Sequence, residues 1–228
     1  MKAALLAASA CGALFTLSAG QAQADEGMWT FDNFPADKVQ AAYGVTIDQA
    51  WLDRVQAASV RLTNGCSASV VSDQGLVLTN HHCVVSCVQD LSSAQTDYVQ
   101  EGFLTTGREQ ERTCPGQQAE ILTEITDVTD TIRAAGEGLS GQAFNRARDA
   151  AVARLEQETC AGDERYRCQV VSLYRGGQYK LYKYRRYADV RLVFAPEIAT
   201  AFFGGDPDNF NFPRFNLDMA FQIGRAHV

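Results

Sequence analysis

The chain has 228 residues with a formal net charge of −7, and 46% of its residues are hydrophobic. A hydrophobic content of this size indicates a folded core and excludes a disordered chain. The negative charge argues against nucleic acid as a partner.

The first 24 residues have the pattern of a secretory signal peptide. Lys2 provides a positive start, residues 3–17 are apolar, and Ala-Gln-Ala at 22–24 is a cleavage site. The apolar run is shorter than the ~20 residues that a spanning helix needs. We therefore expect cleavage after Ala24, leaving residues 25–228 in the periplasm or outside a bacterial cell, with no membrane contact.

Loss of the signal leaves six cysteines, an even number that in an exported chain indicates disulfides. Six cysteines allow 15 pairings, and the sequence does not choose firmly among them. The expected pairs are Cys66–Cys83 across a hairpin, Cys87–Cys114, and Cys160–Cys168 as a local loop.

The first elements after the signal are an aromatic arm, a helix and a strand. Trp29, Phe31 and Phe34 are expected to pack as an arm on the body of the protein. Residues 47–57 predict a helix whose start Asp48 stabilises, and the alternating segment 58–62 predicts a strand.

A β-hairpin follows, because the apolar runs 68–71 and 76–78 flank a turn that ends in Gly75. Its second strand leads directly to His81 and His82. A rigid strand fixes the direction of an imidazole at its end, which suits a general base. Successive strand residues point to opposite faces, so the two histidines cannot share one task.

Further along, helix and strand patterns alternate. The clearest helix is a helical insertion around 140–158, with Ser140 as its cap. The basic and tyrosine-rich strands are interpreted as a solvated face rather than a nucleic-acid surface. The remaining predictions are helix in parts of 84–101, strands at 120–128, 169–173, 179–184 and 188–194, and a helical turn within 196–203.

A second group of polar residues lies at 204–218. Asp218 follows an apolar run, and a buried aspartate needs a partner such as an imidazole N–H. Asp206 and Asp208 could suggest a calcium loop, but Phe210 occupies the next ligand position and no distal glutamate fits. We expect no metal and no cofactor.

These motifs resemble the exported bacterial dipeptidyl-peptidase 7/11 family of serine peptidases. They are GCSAS at 65–69, GLVLTNHHC at 75–83, and GGDPDNF at 204–210, with FPR at 212–214 and then Asp218. The resemblance implies a mainly β fold: half of a chymotrypsin-like double β-barrel with added α-helical segments, truncated before the second barrel.

The resemblance also implies roles for individual residues. His82 matches the general base, and Asp218 the acid that orients it. Asn209 and Phe210 match residues that receive the free N-terminus of a peptide substrate. The implied activity is release of dipeptides from that end, and a homodimer of the full-length protein is left open.

The family's nucleophile belongs to a Gly-Asn-Ser-Gly-Ser type of loop, which this sequence lacks, and the resemblance fades over 222–228. We therefore interpret the chain as an N-terminal fragment or a truncated gene product that supplies the histidine and aspartate without the serine. Such a piece is expected to be inactive alone. The alternative is a non-catalytic periplasmic peptide-binding protein with a peptidase-like fold.

Two other chemistries are weighed against this interpretation. Ser67 lies in a near match to G-x-S-x-G, but Ser69 replaces the last glycine and a strand follows where that motif needs a helix. A zinc module could use His81 or His82 with Cys83 and Cys87. Export favours oxidised cysteines over such a site.

Overall fold

The computed structural model describes residues 27–202 and 216–225. In this part of the chain, ten strands form one sheet in which all pairings are antiparallel. The strands are β1 (Ser59–Leu62), β2 (Ser67–Val70), β3 (Leu76–Thr79), β4 (Phe103–Leu104), β5 (Arg112–Thr113), β6 (Ala119–Asp127), β7 (Tyr166–Leu173), β8 (Gln178–Tyr187), β9 (Asp189–Ala195) and β10 (Ala220–Arg225). Their order is β4, β9, β10, β3, β2, β1, β6, β8, β7, and β5 also pairs with β9.

Helices accompany the sheet, so the prediction of a mainly β protein with helical segments is confirmed at that level. They are α1 (Ala36–Tyr43), α2 (Gln49–Ala58), α3 (Val85–Leu91), α4 (Tyr98–Glu101), α5 (Thr129–Ala135), α6 (Gly141–Cys160) and α7 (Ile198–Ala201). No helix within 27–202 or 216–225 has both the length and the apolar character needed to cross a bilayer.

The two predicted helix caps have different outcomes. Asp48 caps α2 as expected, since its carboxylate accepts the Trp51 N–H at 2.7 Å. The prediction for Ser140 is wrong, because its side chain makes no capping hydrogen bond. Gly141 follows it with a left-handed φ of +56°, so the first turn of α6 does not present its amides to the Ser140 hydroxyl.

The predicted hairpin is formed by β2 and β3, with Val70 opposite Val77. The Ser72 hydroxyl accepts the Leu76 N–H at 3.0 Å and closes the turn. Gly75 has a φ of +84°, and a Cβ there would lie 2.9 Å from the Gly224 carbonyl oxygen. Only glycine allows β10 to approach the turn this closely.

The sheet is strongly curved. Ala188 alone separates β8, which pairs with β6, from β9, which pairs with β10. Val190 of β9 nevertheless packs with Val60 and Leu62 of β1 in one buried cluster that also contains Ala119 of β6. Strands that are four places apart in the order therefore share a core.

A second core lies between helices α5 and α6 and the outer strands β7 and β8. Ile132, Ala151 and Leu181 are buried there. α6 runs along β7, the last strand of the described sheet, and Glu156 accepts the Val170 N–H at 2.7 Å. The helix thus covers a strand that has only one strand neighbour.

All six described cysteines are paired, in the arrangement expected from the sequence. The sulfur–sulfur distances are 2.10 Å for Cys66–Cys83, 2.01 Å for Cys87–Cys114 and 2.05 Å for Cys160–Cys168. The first pair joins the start of β2 to the turn after β3. The second is buried against α3 and β9.

The interpretation of β8 as a solvated basic face is wrong for Lys180, which is 8% exposed. Its ammonium lies 2.9 Å from the carboxylate of Asp32 and 3.1 Å from that of Asp127. Two carboxylates offset the cost of burying this charge. Asp32 belongs to a 3-10 helix at Phe31–Asn33, so Lys180 holds the N-terminal arm, although Trp29 of that arm stays 44% exposed.

Candidate active site

Strand pairing brings two distant segments together at one end of β3. β3 runs antiparallel to β10, with Thr79 opposite Ala220. The residues that leave β3 therefore lie beside the residues that lead into β10. At this junction His82 meets Asp218, although 136 positions separate them along the chain.

Two hydrogen bonds join His82 to Asp218. The imidazole Nδ1 lies 2.8 Å from the carboxylate Oδ2, and the His82 backbone N–H donates to Oδ1 at 3.1 Å. A carboxylate at Nδ1 favours the tautomer that carries its proton there, which leaves Nε2 free to accept a proton. The structure thus brings together the two residues that the sequence analysis paired.

The two side chains differ in their access to solvent. The His82 side chain is 39% exposed, whereas that of Asp218 is 8% exposed. Burial raises the pKa of Asp218, but the hydrogen bonds from the His82 N–H and imidazole outweigh it, and the pKa lies below its usual value. Asp218 is therefore ionised at neutral pH, while the imidazole faces the surface where a substrate could reach it.

His81 is turned away from this surface. His81–Cys83 form a 3-10 helix rather than the end of a strand, and this turn sends the two histidines in different directions. His81 is fully buried, edge-on to Phe202 with 6.0 Å between ring centroids. Burial lowers the pKa of His81, against the attraction of the Asp218 carboxylate. A neutral ring is therefore favoured at this position.

Asn80 also contacts the aspartate, a contact that the sequence analysis missed. Its side-chain Nδ2 donates to Asp218 Oδ2 at 3.2 Å and to the Asp218 backbone carbonyl at 3.1 Å. The signal available in the sequence was its place between the end of β3 and His82.

The predicted substrate contacts and the alternative nucleophile are different residues from the His82–Asp218 pair. Asn209 and Phe210 lie outside the described residues. Ser67 lies in β2 and leads into β3, so the strand-to-helix turn of a G-x-S-x-G elbow is absent at this position.

Metal-binding chemistry can be tested on the donor atoms. Within the described ranges, one group of possible metal ligands gathers within 4.8 Å: Cys66, His82 and Cys83. The sulfurs of Cys66 and Cys83 are paired with each other, and Cys87 is paired with Cys114. Disulfide sulfurs are not the thiolates that zinc binds, so the donors do not fit a zinc module.

Comparison with known protein families gives a match over most of this chain. The model of the family described as Peptidase S46 matches residues 24–224. The chain belongs to peptidase family S46. Its match covers both β3 with its histidines and the Asp218 segment.

Two named relatives of this chain are dipeptidyl-peptidases from bacteria. The Asp/Glu-specific dipeptidyl-peptidase of Shewanella putrefaciens is 35% identical over 223 residues, covering 95% of this chain and 30% of the relative. Dipeptidyl-peptidase 7 of Porphyromonas gingivalis is 32% identical over 230 residues, covering 95% of this chain and 31% of the relative. The chain thus spans about 30% of the length of these proteins.

A solved structure agrees with the sequence relatives. The crystal structure of Porphyromonas endodontalis DPP11 in complex with substrate superimposes with a TM-score of 0.75 and 30% identity. It covers 88% of this chain and 31% of the DPP11 chain. The antiparallel sheet with its helices is therefore similar to about 30% of the DPP11 structure.

Proposed function

We propose that this chain supplies the general base and its orienting acid to a serine-type dipeptidyl-peptidase. The observation that carries the proposal is the 2.8 Å contact between His82 Nδ1 and Asp218 Oδ2, in a member of family S46. The named relatives that match are dipeptidyl-peptidases, which gives the reaction class.

In the proposed mechanism, His82 Nε2 takes the proton of a serine hydroxyl as that oxygen attacks the peptide carbonyl. Asp218 holds the imidazole in the required tautomer and stabilises the imidazolium that forms. His82 then returns the proton to the leaving amine. The serine is proposed to lie in the part of the relatives' length that this sequence does not match.

The substrate is proposed to be a peptide with a free N-terminus. Asn209 and Phe210 are the proposed contacts for its ammonium group, since a side-chain carbonyl accepts hydrogen bonds from an ammonium. A cleft closed at that point would limit the product to two residues.

We also propose that the inner strands close into a barrel. The cluster that joins Val60, Leu62 and Val190 supports closure of the inner strands into a chymotrypsin-like barrel, with α6 as part of a helical insertion. A cleaved signal at 1–24 and a periplasmic or secreted location are proposed with it. Three cysteine pairs at bonding distance support an oxidising compartment.

A chimera tests this function. Residues 25–225 replace the matching segment of the Shewanella putrefaciens relative, and dipeptide release is measured from substrates with free and with acetylated N-termini. We expect turnover of the free substrates alone. His82→Ala and Asp218→Asn should each lower kcat/KM by about 10³-fold or more, because the base is lost or held in the wrong tautomer.

Asn64→Ala provides the control. Asn64 also donates a side-chain hydrogen bond beside His82, to the Cys83 carbonyl at 2.7 Å, but it does not contact Asp218. Turnover retained by His82→Ala would refute the assignment. A chimera that binds free peptides and never cleaves them would favour the peptide-binding alternative.

A further inference from the structure

Asn80 directs both hydrogen bonds of its side-chain NH₂ group at one residue, Asp218. The two atoms it faces, the Asp218 backbone carbonyl oxygen and the carboxylate Oδ2, are both acceptors. Only the NH₂ end of the amide can face two acceptors, so the orientation of the side chain is unambiguous. One hydrogen goes to the main chain of Asp218 and the other to its side chain.

Among the described residues, the other hydrogen bonds to the carboxylate come from His82. Oδ1 accepts the His82 backbone N–H, and Oδ2 accepts Nδ1. A carboxylate held only by His82 would move with that residue. Asn80 instead ties Oδ2 to the backbone of Asp218 itself, and so limits rotation about the side-chain bonds of the aspartate.

The same residue also fixes the histidine side of the pair. The Asn80 carbonyl accepts the Cys83 N–H at 3.2 Å, which begins the 3-10 turn that carries His82. Asn80 is exposed and borders a cleft together with Asp218 and Met219. Its removal therefore leaves no core cavity, and it opens the carboxylate to water from the cleft.

We propose that Asn80 is a positioning residue that orients the Asp218 carboxylate toward His82 and shields it from the adjacent cleft. The inference rests on the proposed function, since it matters for turnover only if His82 is the base. Asn80 does not contact the reacting atoms and acts through Asp218.

The test uses the 228-residue chain, so that it does not depend on activity. The low-field NMR signal of the His82 Nδ1 proton reports its hydrogen bond to Asp218. Asn80→Ala should speed exchange of this proton with water about tenfold, the effect of losing a hydrogen bond to a charged group. Asn80→Ser, which still suits the start of a helical turn, should do the same because its side chain is too short to hold both oxygens.

Asn64→Ala is the matched control and should leave the exchange rate within about twofold. The hydrogen bonds that it removes, to the Cys83 carbonyl and from the Cys66 N–H, do not reach the aspartate. In the chimera, Asn80→Ala should lower kcat about tenfold with little change in KM.

An unchanged Nδ1 signal in both Asn80 variants would overturn the inference and leave the proposed function standing. Equal changes in the Asn80 and Asn64 variants would also overturn it, since they would indicate general loosening. If the wild-type chain showed no such signal, the hydrogen bond between His82 and Asp218 would be contradicted. Both proposals would then be overturned.

Discussion

At the scale of single residues, the site places two titratable groups in one small region, and both make the folded chain less stable as the pH falls, over different pH ranges. Asp218 has a lowered pKa, so the stability it contributes is present above its ordinary value of 3.8 and is lost as the pH falls through its folded-state value. His81 is a buried base with a lowered pKa, so the folded chain resists its protonation. Protonation of His81 therefore begins to lower the stability at a higher pH than protonation of Asp218 does.

His81 gives a prediction for stability. As the pH falls below about 6.5, the unfolded chain binds more protons at this position than the folded chain does, so stability should decrease. His81→Leu removes the group and should reduce that loss. Urea denaturation of both chains at about pH 7.5 and about pH 5.5 measures the difference. Equal losses in the two chains would show that another group controls this range.

At the scale of elements, the site depends on which strands are neighbours. Residues beyond β3 and before β10 meet because those strands pair, and the Gly75 turn lets β10 come close. The outer strand β8 has a different task. Through Lys180 it connects the N-terminal arm to the end of β6.

Lys180→Met should therefore loosen the arm. Removal of the buried cation leaves Asp32 and Asp127 without their shared partner, which should lower the free energy of unfolding by about 1–3 kcal/mol. The cost is smaller than for a fully buried ion pair because solvent reaches both carboxylates. Lys183→Met on the same strand should cost less than about 1 kcal/mol, because Lys183 lies over the Tyr166 ring at a more open position.

Chemical denaturation and limited proteolysis of the arm measure both variants. Faster cleavage near residue 32 is expected in Lys180→Met alone. Similar cleavage in both variants would mean that the ion pairs do not hold the arm.

Local sequence patterns predict many of the helices, strands and turns. The hairpin was predictable because its alternation and turn residues are read over a dozen positions, and the Asp48 cap lies within three residues of its partner. The burial of Lys180 was not predictable, since it depends on Asp32 and Asp127, which lie far away in the sequence. The pairing of His82 with Asp218 came from motif resemblance, because no local pattern shows that β3 and β10 are neighbours.

At the scale of the whole molecule, the disulfides divide into one that supports the site and others that do not touch it. Cys66–Cys83 joins β2 to the turn that carries His82, in the middle of the sheet. Cys160–Cys168 joins α6 to β7, at the end of the sheet order. Their loss should affect stability alike but activity differently.

Replacing Cys66 and Cys83 by serine should cost about 3 kcal/mol in unfolding free energy, as expected for a loop of this length. In the chimera it should also lower kcat/KM by at least about tenfold, because the turn with His82 is released. The matched pair, serine at Cys160 and Cys168, should cost about 2.5 kcal/mol and leave kcat/KM unchanged. Equal losses of activity would contradict a local role for the first bridge.

The contact between Glu156 and the Val170 amide has a consequence for how the protein behaves in concentrated solution. A strand at the border of a sheet offers its free amides to any other polypeptide, which is how β-proteins associate into insoluble ladders. Here the Glu156 carboxylate of α6 already accepts a hydrogen bond from one of those amides, so that this amide is not available to another chain. Helix α6 thus protects the border strand β7 of the described sheet against pairing with another chain.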